Sequence, residues 1–148
     1  ELGAMQRDIA FEDLLSEIVE ELSAAVERAV AAGIRRSSIL VDPGIGFGKA
    51  TDHNLSILRH VQRLRELGRP ILVGASRKSL LGRVTGRDAG DRLASSLAAA
   101  AWSATHGVEI LRVHDVRETV DLLRTLAAIE RGTLAGDRAE AGEEGAAR

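Results

Sequence analysis

Ile71-Leu72-Val73-Gly74-Ala75-Ser76-Arg77-Lys78-Ser79 is an apolar run that breaks abruptly into small residues, hydroxyls and two cations. Two other runs behave alike: Ile39-Leu40-Val41 gives way to Asp42-Pro43-Gly44, and Ile110-Leu111 to Arg112-Val113-His114-Asp115. Short apolar runs bounded by turn residues read as strands. In a parallel βα sheet or barrel the carboxyl ends of the strands share one rim, so the three polar clusters are expected to converge there. That rim holds an acid, a lysine and an arginine-histidine pair suited to an anion.

Helical patterns separate these runs. From Asp8 to Ala32 apolar residues recur at helical spacing (Phe11, Leu15, Ile18, Leu22, Val26, Ala29), and Gly33 stands where a helix would end. A second helix is predicted after Asp52, with Leu55, Leu58, Val61 and Leu64 inward and a stop at Gly68. A third runs from about Asp91 to His106. The fourth starts at Asp115, whose spacing to Glu118 resembles a capping box, and carries Val116, Val120, Leu123 and Ala127 on its stripe. Strand and helix thus alternate, which predicts an α/β fold with parallel strands and right-handed crossovers. Three strands cannot close a barrel, so the choice is a small open α/β layer or the last portion of a (β/α)8 barrel. Residues 1–131 form the predicted domain. Residues 132–148, polar and rich in Gly, Ala and Glu, are predicted to be a disordered tail.

Composition narrows the function. The chain has 148 residues, 45% of them hydrophobic, enough for one domain with a real core. A net charge of -2 and only three aromatic residues (Phe11, Phe47, Trp102) argue against general nucleic-acid binding. Absence of cysteine excludes disulfides and thiolate metal sites. No apolar run approaches the ~20 residues of a membrane span, and the first residues lack the form of a signal peptide. A soluble cytoplasmic protein is the expectation, and a chain that begins on glutamate is expected to be a piece of a longer one. Of the 20 basic residues only Lys49 and Lys78 are lysine, and both fall inside motifs, Lys49 at the end of the glycine-alternating stretch and Lys78 beside Arg77.

The clusters offer specific chemistry, each with a plainer alternative. Asp42 either forms an Asp-Pro-Gly turn or accepts from a flat ligand edge bearing two N–H groups, as a carboxylate accepts from arginine. Gly44, Gly46 and Gly48 alternate with Ile45, Phe47 and Lys49, without the lysine-hydroxyl pair of a phosphate-binding P-loop. These glycines let a loop pass close to a ligand, with Phe47 as either an apolar wall or core. Ser76-Arg77-Lys78-Ser79 lies where a strand ends and a helical turn begins, so it is either an anion-facing group or solvated charge. Arg112 and His114 alternate across Val113 and so point to one side of an extended backbone, as a phosphate grip or with His114 merely packed.

Taken together, ILVDPGIGFGK (39–49), PILVGASRKSLLG (70–82), DRLASSLAAAA (91–101) and ILRVHDVRETVDLLR (110–124) resemble the carboxyl-terminal half of dihydropteroate synthase, over Met5 to Ile129. The resemblance implies a partial (β/α)8 barrel made of the last three βα units and a preceding helix. It implies a transferase of folate biosynthesis that joins p-aminobenzoate to 6-hydroxymethyl-7,8-dihydropterin pyrophosphate and releases pyrophosphate. Asp42 would then bind the amino-pyrimidine edge of the pterin, and Lys78 its oxygen and ring nitrogen. Arg112 and His114, with the Val113 backbone between them, would hold pyrophosphate, while Phe47 and Ser79 line the p-aminobenzoate pocket. The family also implies Mg2+ and a homodimer, with the Trp102 helix a candidate surface. Its amino-terminal motifs, including the Mg-associated asparagine, are missing from this chain, so about half a site is expected and no activity from the chain alone. The alternatives are a non-catalytic pterin- or phosphate-binding half-barrel and a dimerisation fragment.

Overall fold

The computed structural model describes residues 2–48 and 50–133, with residues 2–13 described by backbone alone. The predicted tail therefore lies, from residue 134 onward, outside the described residues, as do Lys49 and the side chain of Phe11.

Helix α1 (Leu2–Ala31) buries Leu15, Ile18 and Val26. It ends where predicted: Gly33 takes φ +92°, and the Ile34 and Gly33 amides donate back to the Ala29 and Val30 carbonyls at 3.0 and 2.9 Å. Only glycine adopts that left-handed geometry without steric cost.

The segment predicted as one helix after Asp52 is two pieces. Helix α2 (Thr51–Arg59) gives way at His60 to a 3-10 helix over Val61–Leu67, which Gly68 terminates at φ +58°. The change of winding rotates the inward face. Ile57, Leu58, Val61 and Leu64 are buried, but Leu55, predicted inward, is 39% exposed. Truncating a side chain as enclosed as Leu64 to alanine costs about 2–5 kcal/mol.

Strands β1 (Leu72–Val73) and β2 (Ile110–Leu111) pair in parallel, Leu72 opposite Ile110 and Val73 opposite Leu111. Val41 joins the other side of the sheet through a parallel bridge to Ile71, donating to the Pro70 carbonyl at 2.9 Å and accepting from Leu72 at 2.8 Å. The order is parallel and sequential, as expected. The first predicted strand contracts to that one bridge, because its register holds only at Val41 before Asp42-Pro43-Gly44 turns the chain away.

Helices α3 (Ser79–Thr85) and α4 (Leu93–Thr105) follow β1, and α5 (Val116–Arg131) follows β2. Val41, Ile71 and Val73 are buried in the core with residues of α1, α2 and the 3-10 helix. The opposite face of the sheet is different. Leu40 is 44% exposed and Ile110 37%, so the apolar positions alternating with the core face lack cover among the described residues. The stripe of α5 is likewise open at Val116 and Val120.

Candidate functional site

Alternation along an extended backbone puts Asp42, Gly74 and Arg112 one step beyond Leu40, Leu72 and Ile110, on the uncovered face and at the carboxyl ends of the three segments. The strand ends thus share one rim, as the sequence predicted.

Contacts across this rim keep one register. The backbone partners of β1 and β2 are 38 residues apart, and the Arg112 amide donates to the Val73 carbonyl at 2.9 Å. Next, the Arg112 side chain lies over Gly74: a Cβ built there would meet its Nε at 3.0 Å. At the same offset of 38, Ser76 Oγ lies 3.3 Å from the His114 amide, from which it accepts, and 3.1 Å from His114 Nδ1. Arg77 then grips Asp115 with both Nε (3.1 Å) and Nη2. A bidentate guanidinium-carboxylate pair fixes orientation as well as distance.

Arg77 is held from every side. It is the one non-glycine residue with positive φ (56°) among the described residues. Its amide donates to buried Ser96 Oγ at 2.9 Å, and its carbonyl accepts from Arg92 Nη1 at 2.9 Å. Such a backbone persists only where surrounding contacts over-determine it. The Arg77 hydrogen bond, outweighing partial desolvation, holds the Asp115 carboxyl below the usual carboxylate range.

The capping box predicted at Asp115 and Glu118 is not formed. Asp115 stands at the N-cap of α5 without a side-chain cap bond, because its carboxylate is drawn to Arg77. Thr119 is anchored instead by its hydroxyl, which donates to the Asp115 carbonyl at 2.7 Å.

Lys78 reaches the other way. Its Nζ donates to the Ile45 carbonyl and sits 4.4 Å from the centroid of the Phe47 ring. Phe47 is 65% exposed, so it is not core but an apolar wall beside a cation. Gly46, φ +81°, leaves room for this: a Cβ there would stand 2.8 Å from Lys78 Cδ. The Gly46 amide donates to Asn54 Oδ1 at 2.6 Å, and Asn54 Nδ2 donates to the Ala50 carbonyl at 2.8 Å. Asn54, buried and unnoticed in the sequence, fastens the glycine loop to α2. Its signal was a polar residue three and four positions before buried Ile57 and Leu58, where a side chain needs partners.

The remaining residues are simply placed. Asp42 is exposed and forms the expected turn, its Oδ1 accepting from the Gly44 amide at 2.8 Å. A carboxylate offers about four lone-pair sites, so acceptor capacity for a ligand remains. Exposed Ser79 lines a polar hollow of about 500 Å³ with Gly46, Thr51, Asn54 and Arg83. Val113 is half-buried, and Arg112 and His114 are exposed. The described residues include no group of three or more His, Cys, Asp or Glu able to hold a metal, and no helix long and apolar enough to cross a membrane.

Residues 3–114 match the family described as pterin binding enzyme. The dihydropteroate synthase of Neisseria meningitidis serogroup C is 41% identical over 127 residues, covering 84% of this chain and 45% of that protein. A Mycobacterium leprae protein named inactive dihydropteroate synthase 2 is 43% identical over 117 residues, covering 79% and 40%. The solved dihydropteroate synthase of Xanthomonas albilineans in complex with 7,8-dihydropteroate superposes with a TM-score of 0.78 at 44% identity, covering 80% of this chain and 45% of that one. This chain therefore spans less than half the length of the relatives it matches. From the extent of that match, more than half its own residues, the chain belongs to the pterin-binding enzyme family.

Proposed function

We propose that the rim of Asp42, Lys78, Arg112 and His114 is part of a dihydropteroate synthase site, on the last three units of a (β/α)8 barrel. The interlocking of three strand-end loops carries this reading: Lys78 reaches the Ile45-Phe47 loop, while Arg112 and His114 reach Gly74 and Ser76. The uncovered face of Leu40 and Ile110 fits the interior of a barrel whose other strands pack there.

In this reading Asp42 accepts from the amino-pyrimidine edge of a dihydropterin, and Lys78 donates to its oxygen and ring nitrogen. Phe47 and Ser79 line the place of p-aminobenzoate. Arg112 and His114 hold the pyrophosphate. An electron-rich pterin expels that group with its bonding electrons; the amine then attacks the carbon left cationic, and the resulting ammonium gives its proton to solvent. The protein's part is to stabilise the departing anion and to orient the acceptor, for which no nucleophilic side chain is needed. The described residues hold no cluster of three or more His, Cys, Asp or Glu for Mg2+. A homodimer would use the apolar groove of about 470 Å³ between α2, α3 and α4, where Leu55, Val84 and Trp102 are exposed. A cytoplasmic location belongs to the same reading.

The 43% identity to a protein named inactive favours a second reading, a pterin- or phosphate-binding protein without turnover. Incubating the 148-residue chain with p-aminobenzoate and the pterin pyrophosphate is expected to yield no dihydropteroate, while pyrophosphate alone binds at about millimolar level through a few charge-assisted bonds. Robust turnover by this chain, or the absence of pyrophosphate shifts at residues 112 to 118, would overturn the half-site.

A further inference from the structure

Asp115 is oddly placed for a neighbour of an anion grip. It directly follows His114, has a half-buried side chain, and stands at the N-cap of α5. Uncompensated, a carboxylate one residue from His114 would oppose any phosphate held by Arg112 and His114, since like charges repel.

We propose that Arg77 is a positioning residue that neutralises Asp115 and turns its carboxylate away, so that the neighbouring Arg112-His114 rim accepts a multiply charged anion. The inference rests on the anion grip proposed above and assigns Arg77 a part in it without direct contact. Three observations carry it. Arg77 occupies both carboxylate oxygens of Asp115. The carboxylate thereby makes no capping bond at the helix end, where one was predicted. Finally, the left-handed backbone of Arg77 is fastened on both sides, its amide by Ser96 and its carbonyl by Arg92. A plain surface ion pair needs no such fixing.

The test is a pyrophosphate titration of the full chain, followed by amide resonances at residues 112 to 118, with Arg77→Gln, Arg77→Lys, Asp115→Asn and the Arg77→Gln/Asp115→Asn double variant. Neutralisation predicts that Arg77→Gln weakens binding about tenfold, because the carboxylate now faces the anion alone. Arg77→Lys should stay within about threefold of the wild type, keeping charge without the fork, and Asp115→Asn should bind as well or better. The double variant should recover to within about threefold, and added salt should narrow the Arg77→Gln defect. A double variant as weak as Arg77→Gln would make the pair a structural strut or Arg77 a direct ligand, and would overturn the inference while leaving the grip intact. Equal binding by wild type and Arg77→Gln would do the same. A wild-type chain with no pyrophosphate shifts would remove the grip itself, and this inference with it.

Discussion

Ser76 Oγ touches both the amide (3.3 Å) and the Nδ1 (3.1 Å) of His114, 38 residues away, at the offset that pairs Leu72 with Ile110. The hydroxyl extends the sheet's register past its last backbone bond and sets the direction of the imidazole. Ser76→Ala should therefore weaken pyrophosphate binding about threefold to tenfold, for a loss of ~1 kcal/mol from one hydrogen bond, with a similar loss of stability. Isotherms and urea denaturation on the same variant check both halves.

Gly46→Ala meets two obstacles, a φ of +81° and a side chain 2.8 Å away. A left-handed alanine costs about 1–2 kcal/mol, and Lys78 must leave the Ile45 carbonyl to make room. The expected result is that loss in urea denaturation, together with shifts at Lys78. Full stability with an undisturbed Lys78 would show that the loop passes elsewhere.

Asn54→Ala strands the Gly46 amide and the Ala50 carbonyl of their side-chain partner. The Ala50 carbonyl keeps the backbone amide of residue 54 and water reaches both exposed residues, so the loss should be that of one or two hydrogen bonds, about 1–2 kcal/mol. Hydrogen exchange should quicken first at Gly46, which loses its acceptor.

Acid should expose the Arg77–Asp115 pair. Arg77 stays charged, while the Asp115 carboxyl is held below the usual range, chiefly by the Arg77 hydrogen bond. A carboxyl lowered on folding adds stability above its unfolded value, lost as pH falls through the folded one. Melting temperatures of wild type and Arg77→Gln should thus differ near neutrality and converge in strong acid. A constant gap would mean that the pair's charge contributes nothing.

The rim was legible because each strand ends in an abrupt change from apolar to polar residues, and parallel topology then places those ends together. What stayed hidden depends on register. Nothing local in Arg77 announces Asp115 as its partner, and the local signal at Asp115 pointed to Glu118 and a capping box that the structure lacks. Nor does anything local in Ser96 announce that its hydroxyl accepts from the Arg77 amide. Leu55 was misplaced for another reason. A single helical period was carried across His60, where the winding changes from α to 3-10.

The most direct measurement is product formation by a chimera in which the matching 127-residue segment of the Neisseria meningitidis synthase is replaced by that of this chain. Supplied with p-aminobenzoate and 6-hydroxymethyl-7,8-dihydropterin pyrophosphate, it should form dihydropteroate. Arg112→Ala within it should lower the rate about 100-fold or more, as loss of a group that stabilises developing charge does. A folded chimera that binds the pterin yet forms no product would contradict the synthase account and leave this chain a pterin-binding relative without turnover.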